Sequence, residues 1–191
     1  MSRSERADGP QVISQADPAY SARLTNRLGE SAPKTISIVG SSAPLSSPLT
    51  AFLCSKETPG ATILKAFDQA AAWRDAGCCV ISGFHSPLER QCLDILLRGK
   101  QPVVMVLARG LGVLRLPAEQ RKAVEEGRLT IISPFSVTEK RVNAVLAHER
   151  NRFVAAMSDE TVFAYISYGS SLSTIEYEAK RWGSSTRQLH G

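Results

Sequence analysis

Short apolar runs and amphipathic segments alternate along the chain from Thr35 onward. The apolar runs are rich in β-branched side chains and bounded by Gly, Pro or Ser, which is typical of buried strands. They predict strands at Ile36–Val39, Cys78–Ser82, Val103–Leu107, Leu129–Ile132 and Val162–Ile166. Apolar positions at helical spacing predict helices near 61–76, 87–98, 117–126, 138–157 and 173–182. Strands and helices that alternate in this way indicate a parallel sheet covered on both faces.

Residues suited to helix ends support these boundaries. Gly77 and Gly99 follow two of the predicted helices, and glycine is the usual residue just past a helix end. Ser86-Pro87-Leu88-Glu89 has the spacing of a capping box, in which serine and glutamate side chains bond to the first backbone N–H groups. Ser136–Glu139 and Ser173–Glu176 share that spacing. We therefore predict an α/β fold of Rossmann-like, doubly wound type, with a mostly parallel sheet and helices on both faces.

The first 34 residues have no sustained period and are rich in Ser, Ala, Pro and charged side chains. We predict a polar N-terminal arm over residues 1–34, helical near Tyr20–Leu28, and one folded domain over residues 35–191. No apolar stretch reaches the roughly 20 residues that a membrane span needs, and the N-terminus has no apolar signal segment. The four cysteines form no C-x-x-C pair, which is typical of buried free thiols. We therefore expect a cytoplasmic protein without a membrane partner.

The loops after the predicted strands contain glycine and small hydroxyl side chains. In an open parallel sheet, ligands bind outside the carboxyl ends of the strands. Glycine lets backbone N–H groups approach an oxyanion, and helix N-termini favour negative charge. The loop residues concerned are Gly40, Ser41, Ser42, Gly83, Phe84, His85, Arg109, Gly110, Gly169, Ser170 and Ser171. Their convergence on one edge predicts a phosphate-binding crevice, in which Phe84 is placed to stack on a base.

Two motifs of nucleotide-dependent enzymes are missing from the sequence, namely the dinucleotide-binding G-x-G-x-x-G and the Walker A run. His85 and Glu89 lie four residues apart, but no third metal ligand is near them in the sequence. We therefore expect neither a cofactor nor a metal ion. The chain has 23 Lys and Arg against 18 Asp and Glu, a formal charge of +5. That modest excess permits a polyanionic partner without requiring one.

A second candidate group is Arg150-Asn151-Arg152, which precedes the apolar run 153–157. Two guanidinium groups and an amide can present forked donors to phosphates or to base edges. The same residues also fit a solvated helix face on which Glu149 pairs with an arginine. Composition alone favours the solvated face.

Four segments together resemble the DNA-processing protein A (DprA/Smf) family. They are V-I-S-G at 80–83, P-V-V-M-V-L leading to R-G-L at 102–111, R-N-R-F-V-A-A-M-S-D at 150–159 and G-S-S-L-S-T at 169–174. The resemblance extends from about Ile36 to Gly183, and the R-N-R segment is its most specific part. It implies an extended Rossmann domain that binds single-stranded DNA in a basic pocket, forms a homodimer and acts in DNA processing and recombination.

The resemblance also assigns roles to individual residues. It implies that Arg150 and Arg152 contact phosphates and that Asn151 orients them. Gly83 and the Gly169–Thr174 loop would shape the pocket. The family's first loop reads G-S/T-R, whereas Gly40-Ser41-Ser42 has no arginine.

The same region resembles the LOG family of nucleotide phosphoribohydrolases. Their H-E-R-K element is similar to His148-Glu149-Arg150-Asn151, but the position of their catalytic glutamate falls on Tyr177. Glu176 lies one position short, and neighbouring positions on a helix point about 100° apart. A hydrolase of this kind would depend on Glu176.

Three functional hypotheses follow. The leading one is a non-enzymatic domain that holds single-stranded DNA or a nucleotide through loop amides, Arg109, Arg150 and Arg152. The second is an enzyme that cleaves the glycosidic bond of a nucleotide, and the third is a sensor of a small nucleotide ligand. Salt-dependent oligonucleotide binding, release of free base, and a melting shift without turnover distinguish the three.

Overall fold

The computed structural model describes residues 10–189, which form one mixed sheet with helices on both faces. The strands are β1 (Gln11–Ser14), β2 (Thr35–Val39), β3 (Leu49–Cys54), β4 (Cys79–Ser82), β5 (Val103–Val106), β6 (Leu129–Ser133), β7 (Glu160–Tyr165) and β8 (Ser185–Gln188). The helices are α1 (Ala22–Leu28), α2 (Gly60–Ala76), α3 (Pro87–Leu96), α4 (Ala118–Glu125), α5 (Ala144–Met157) and α6 (Leu172–Arg181). The predicted Rossmann-like α/β class is confirmed.

The order in which the chain adds strands to the sheet reverses at its centre, beside β3. The order is β1-β2-β6-β5-β4-β3-β7-β8, and all strands from β6 to β8 are parallel. From β3 the chain steps through β4 and β5 to β6 on one side, and then returns to place β7 on the other side of β3. Loops that leave neighbouring strands in opposite directions open a crevice between β3 and β7 at their carboxyl ends.

The core lies in two layers because β3 and its neighbours are buried on both faces. Along β3, Ala51 and Leu53 join the cluster beneath α1, α5 and α6, whereas Phe52 joins the cluster beneath α2, α3 and α4. Phe52 packs edge-on against Trp73 of α2, with ring centroids 5.6 Å apart. On the opposite side of the sheet, α5 contributes Phe153 and its apolar neighbours. This packing anchors α5, the helix that forms one wall of the crevice.

The sequence pattern predicts five of the strands but misses β1, β3 and β8. The run L-T-A-F-L-C of β3 is buried on both faces, so it lacks the period-two alternation that distinguishes a strand from other short apolar runs. The strand β8 has the polar sequence S-T-R-Q and lies at the sheet edge, where no apolar pattern is required. Missing β3 matters most, because the order of strands in the sheet reverses beside it.

The segment before Thr35 is folded from Gln11 onward, unlike the arm expected for residues 1–34. Strand β1 pairs antiparallel with β2, and the fully buried Leu24 helps to pack α1 against α5. Arg27 of α1 donates to the carbonyl oxygens of Ala156 in the last turn of α5 and of Ser158 just beyond it, at 3.0 and 2.6 Å. In α1 only Leu24 and Leu28 are buried, among polar side chains, so the sequence shows too few apolar positions to reveal this packing. Residues 1–9 lie outside the described residues.

The helix α5 begins six residues later than predicted. Asn143 caps it by accepting a hydrogen bond from the backbone N–H of Leu146 at 2.9 Å. Ser136–Glu139 forms a turn instead of a helix start, since the Glu139 N–H donates to the Ser136 carbonyl oxygen. The capping box predicted at Ser86 and Glu89 is present on α3.

The four cysteines are free thiols, and Cys78 is only half-buried. Burial raises the pKa of Cys54 to about 11 and that of Cys79 and Cys92 to about 12. These three thiols are therefore protonated at neutral pH and act as packing groups. Across residues 10–189, none of the helices has both the length and the apolar character needed to cross a bilayer.

Candidate functional site

A crevice of about 480 Å³ opens at the carboxyl ends of the central strands. Three loops and one helix form it: the loop after β3, the loop after β4, the loop after β7, and the first half of α5. Its lining residues are Cys54, Ser55, Lys56, Glu57, His85, Ser86, Glu89, Ala144, Ala147, His148, Arg150, Asn151, Ser167, Tyr168, Gly169, Ser170, Ser171 and Leu172. This position is the reversal point between β3 and β7, where ligands of open α/β sheets bind.

Arg150 is a cation that is almost completely buried at the wall of this crevice. Its side chain is 4% exposed, and its Nε donates to Oδ1 of Asn151 at 2.7 Å while Nη1 reaches the carbonyl oxygen of Val106 at 3.4 Å. None of the ion pairs within residues 10–189 involves Arg150. Burial lowers the pKa of Arg150, opposed by the more distant charge of Glu89. A guanidinium without an acidic partner favours an anion from outside the chain.

Gly83 provides the space that the Arg150 guanidinium occupies. A Cβ atom on Gly83 would lie 1.5 Å from Nη1 of Arg150 and 2.0 Å from its Cζ. Any side chain at this position would therefore displace the guanidinium. Gly83 is needed here for close approach at the end of β4, as the resemblance implies for a pocket-shaping residue.

Glu89 lines the crevice and accepts hydrogen bonds from three backbone N–H groups. Its carboxylate is 3% exposed and accepts hydrogen bonds from the N–H groups of His85 at 2.8 Å, Ser86 at 3.0 Å and Cys54 at 3.2 Å. Glu89 lies in the first turn of α3, where the helix dipole stabilises a negative charge. These bonds hold the ends of β3 and β4 together beside Arg150.

Serine hydroxyls connect the two loops on either side of the reversal point. Ser55 Oγ donates to Ser170 Oγ at 3.2 Å and accepts from the N–H of Ser167 at 3.0 Å. Ser170 Oγ also accepts from the N–H of Leu172, the first residue of α6. The loop after β7 is thereby held against the loop after β3, and the exposed Ser171 is the N-cap of α6.

The predicted loop Gly40-Ser41-Ser42 lies at the opposite end of the strands from the crevice. Strand β2 is antiparallel to β6, so its carboxyl end meets the beginning of β6. There the Ser41 carbonyl oxygen accepts a 2.7 Å hydrogen bond from Thr130, and a Cβ on Gly40 would contact the Leu129 carbonyl oxygen at 2.8 Å. The first loop that does enter the crevice contains Ser55-Lys56, a serine followed by a cation.

Phe84 does not reach the crevice. The residue is 4% exposed and packs in the core beneath α2 and α3, and its φ of 46° is left-handed. The prediction that it stacks on a base is therefore wrong. The aromatic side chain that does line the crevice is Tyr168, which is fully exposed in the loop after β7. Its isolated position between Ser167 and Gly169 gives no periodic signal in the sequence.

The Arg109-Gly110 loop packs against a neighbouring loop. The Gly110 N–H donates to the carbonyl oxygen of Glu139 at 2.8 Å, and the Ser136 backbone lies where a Cβ on Gly110 would be. The carbonyl oxygen of Arg109 accepts a hydrogen bond from Ser133 at 2.7 Å. Neither Arg109 nor Gly110 lines the crevice. This loop therefore does not join the other loops there, although the sequence predicted that it would.

Arg152 points away from Arg150 toward α6. Its Nε donates to both carboxylate oxygens of Glu178, at 3.0 and 2.9 Å. Residues two apart on a helix are separated by about 200°, so Arg150 and Arg152 cannot both face the crevice. Arg152 therefore joins α5 to α6, and the phosphate contact implied for it is not supported.

Thr174 and Glu176 of α6 also lie outside the crevice lining. Thr174 is exposed, whereas Glu176 accepts a hydrogen bond from Gln188 at 2.7 Å and pairs with Lys180 at 3.1 Å. A carboxylate placed toward β8 cannot assist glycosidic bond cleavage in the crevice. The structure therefore provides no support for the hydrolase alternative at Glu176.

The Arg152→Ala variant is expected to lose about 0.5–1 kcal/mol of unfolding free energy, the value of a partly exposed ion pair. Its affinity for a single-stranded oligonucleotide should stay within about twofold of the parent, because screening weakens a charge outside the crevice. Urea denaturation and fluorescence anisotropy measure the two quantities. A loss of affinity of tenfold or more would place Arg152 in the binding site.

The protein resembles DNA-processing proteins in sequence and in structure. The family model described as DNA recombination-mediator protein A matches residues 11–181. The structure of DNA processing protein A from Streptococcus pneumoniae is similar, with a TM-score of 0.78, 17% sequence identity, and coverage of 94% of this chain and 62% of that one. DNA processing protein A from Helicobacter pylori, described for its unique single-stranded DNA binding mode, gives a TM-score of 0.73, 15% identity, and coverage of 94% and 80%.

The fold is also similar to that of a protein outside the DNA-processing family. The molybdenum cofactor carrier protein from Chlamydomonas reinhardtii has a TM-score of 0.51 at 10% identity, covering 74% of this chain and 76% of that one. No curated protein sequence matches the chain. The chain spans 62% of the length of the pneumococcal protein. Since the family model covers nearly all of the folded residues, the chain belongs to the DNA recombination-mediator protein A family.

Proposed function

We propose that the crevice binds single-stranded DNA through a backbone phosphate held by Arg150, in a role in DNA processing or recombination. The supporting observation is a buried guanidinium that borders an open crevice and has no acidic partner within the described residues. Burying a charge is costly unless it is paired, and a phosphate supplies both the charge and the forked geometry of acceptors. Lys56 and the N-terminus of α6 favour the same ligand.

Tyr168 supports a single strand as the ligand. Its ring is fully exposed in the loop that leads from β7 to the N-terminus of α6. Bases of a single strand are free to stack on such a ring, whereas those of a duplex are stacked on one another. The Helicobacter pylori relative, described for its binding of single-stranded DNA, is consistent with this choice. A free nucleotide as the ligand, a homodimer and a cytoplasmic location remain predictions.

A salt titration of binding to fluorescent oligo(dT) tests the proposal. Phosphate contacts predict a linear fall of log affinity with log salt, at about −0.7 per phosphate neutralised on a single strand. The Tyr168→Ala variant should bind about tenfold more weakly, because one stacked base is lost. The Lys56→Ala variant should show a salt slope reduced by about 0.7. Undetectable binding at low salt, or binding equally tight at every salt concentration, would contradict the proposal.

Binding should strengthen as the pH falls below neutrality because His85 lines the crevice. Partial burial lowers the pKa of His85 from its ordinary 6.5, and the Arg150 charge adds to the effect while Glu89 opposes it. His85 is therefore neutral at pH 7, and protonation at lower pH places an additional cation near the phosphate. Oligo(dT) affinity measured from pH 7.5 to 5.5 should rise, and the His85→Gln variant should lose most of that rise. An equal rise in the variant would contradict the assignment of the effect to His85.

A further inference from the structure

The outer face of α6 has an aromatic ring and a cation that the crevice does not use. Tyr177 is 63% exposed, and the guanidinium carbon of the exposed Arg181 lies 5.9 Å from the centroid of its ring. Ser173 and Thr174, one turn earlier, are exposed as well. Residues spaced by three or four positions share one side of a helix, so these four side chains form a stripe along α6.

Most other charges on α6 are neutralised by partners. Glu176 pairs with Lys180 at 3.1 Å, and Glu178 pairs with Arg152 of α5 at 2.9 Å. Arg181 has no carboxylate partner among the ion pairs of residues 10–189. The stripe therefore combines an accessible aromatic face with an uncompensated positive charge. Sequence-tolerant binding of single-stranded nucleic acid uses this combination.

The stripe is continuous with the crevice. Ser171 and Leu172, at the beginning of α6, line the crevice, and the helix extends from there for ten residues. Ten residues at 1.5 Å each span about 15 Å. A stacked strand advances about 3.4 Å per nucleotide, so about four nucleotides would cover this length.

We propose that α6 is a second section of the DNA-binding surface, which rests on the proposed function of the crevice. A single strand held at Arg150 continues past Tyr168 along the stripe, with a base stacked on Tyr177 and a phosphate at Arg181. Binding then depends on strand length. The crevice alone suffices for a short oligonucleotide, and the stripe adds affinity only when the strand is long enough to reach it.

The test compares oligo(dT) of four, six, eight and twelve nucleotides by fluorescence anisotropy. The parent protein should gain affinity with length, and both Tyr177→Ala and Arg181→Ala should bind the twelve-nucleotide strand about tenfold more weakly with little change for four nucleotides. Tyr177→Phe should bind like the parent because the aromatic face is retained. Lys122→Ala, at an exposed lysine in the last turn of α4, is the matched control and should bind all lengths normally.

The outcomes separate the two proposals. Equal affinity of the parent and the Tyr177→Ala variant for the long strand would overturn the α6 section while leaving the crevice intact. A change in sedimentation of Tyr177→Ala without a length-dependent loss of affinity would overturn it too, and would identify the stripe as a protein contact. Failure of the parent to bind any length would instead overturn the proposed function. Melting temperatures equal to that of the parent establish that the exposed substitutions leave the fold unchanged.

Discussion

Replacing Arg150 by methionine is expected to eliminate most oligonucleotide binding without lowering the melting temperature. Hydrogen bonds to a charged group contribute about 1.5–3 kcal/mol each, so losing the guanidinium should weaken binding at least tenfold to a hundredfold. Stability should be retained or increased, because the guanidinium is 4% exposed and has no acidic partner within residues 10–189. Burying a charge that lacks an ion-pair partner is costly, so an apolar side chain of similar length removes that cost.

Anisotropy with oligo(dT) and thermal melting measure the two effects on the same Arg150→Met preparation. The Arg152→Ala variant is the matched control, because it removes a guanidinium two residues away that pairs with Glu178. A variant that binds normally would show that Arg150 is a structural residue. A steep fall in melting temperature would show that its charge is compensated within the protein.

Replacing Gly83 by alanine is expected to weaken both the fold and DNA binding. The new Cβ would lie 1.5 Å from Nη1 of Arg150, so the guanidinium must leave its place beside Val106. Inserting a methyl group into a packed site costs about 1–3 kcal/mol of unfolding free energy. Binding should fall by a factor similar to that of Arg150→Met, since the cation no longer borders the crevice in the same position.

A double-mutant cycle with Arg150→Ala isolates this contact. Shortening Arg150 removes the atoms that the methyl group would meet, so Gly83→Ala should cost little in the Arg150→Ala background. Urea denaturation of the four proteins provides the free energies of unfolding. Additive costs would contradict the proposed steric cause and would assign the role of Gly83 to the backbone.

The sequence predicts the class of the fold because strands buried by helices on both faces leave a repeated apolar signature. It does not predict the direction of β2, because an antiparallel strand and a parallel strand within a sheet can share one apolar pattern. For that reason, the sequence places Gly40, Ser41 and Ser42 at the crevice, whereas they lie at the opposite end of the strands. With β3 included, the loop through Ser55 and Lys56 becomes the first loop of the crevice.

Part of the candidate site is accessible from the sequence, since His85, Arg150 and the Gly169–Ser171 loop line the crevice. Gly83 lies directly against the Arg150 guanidinium. The remainder depends on the orientation of individual side chains. Phe84 turns into the core through a left-handed backbone, and Arg152 meets Glu178 across a helix interface. Neither a φ angle nor a contact between α5 and α6 is encoded in the type of residue alone.

The structure of the complex with a six-nucleotide oligo(dT) tests the central claim most directly. We predict a backbone phosphate oxygen within about 3 Å of the Arg150 guanidinium, beside the loop through Ser170 and Ser171. A strand bound at another surface, with the crevice free of DNA and Arg150 still bonded only to Asn151 and Val106, would contradict the account.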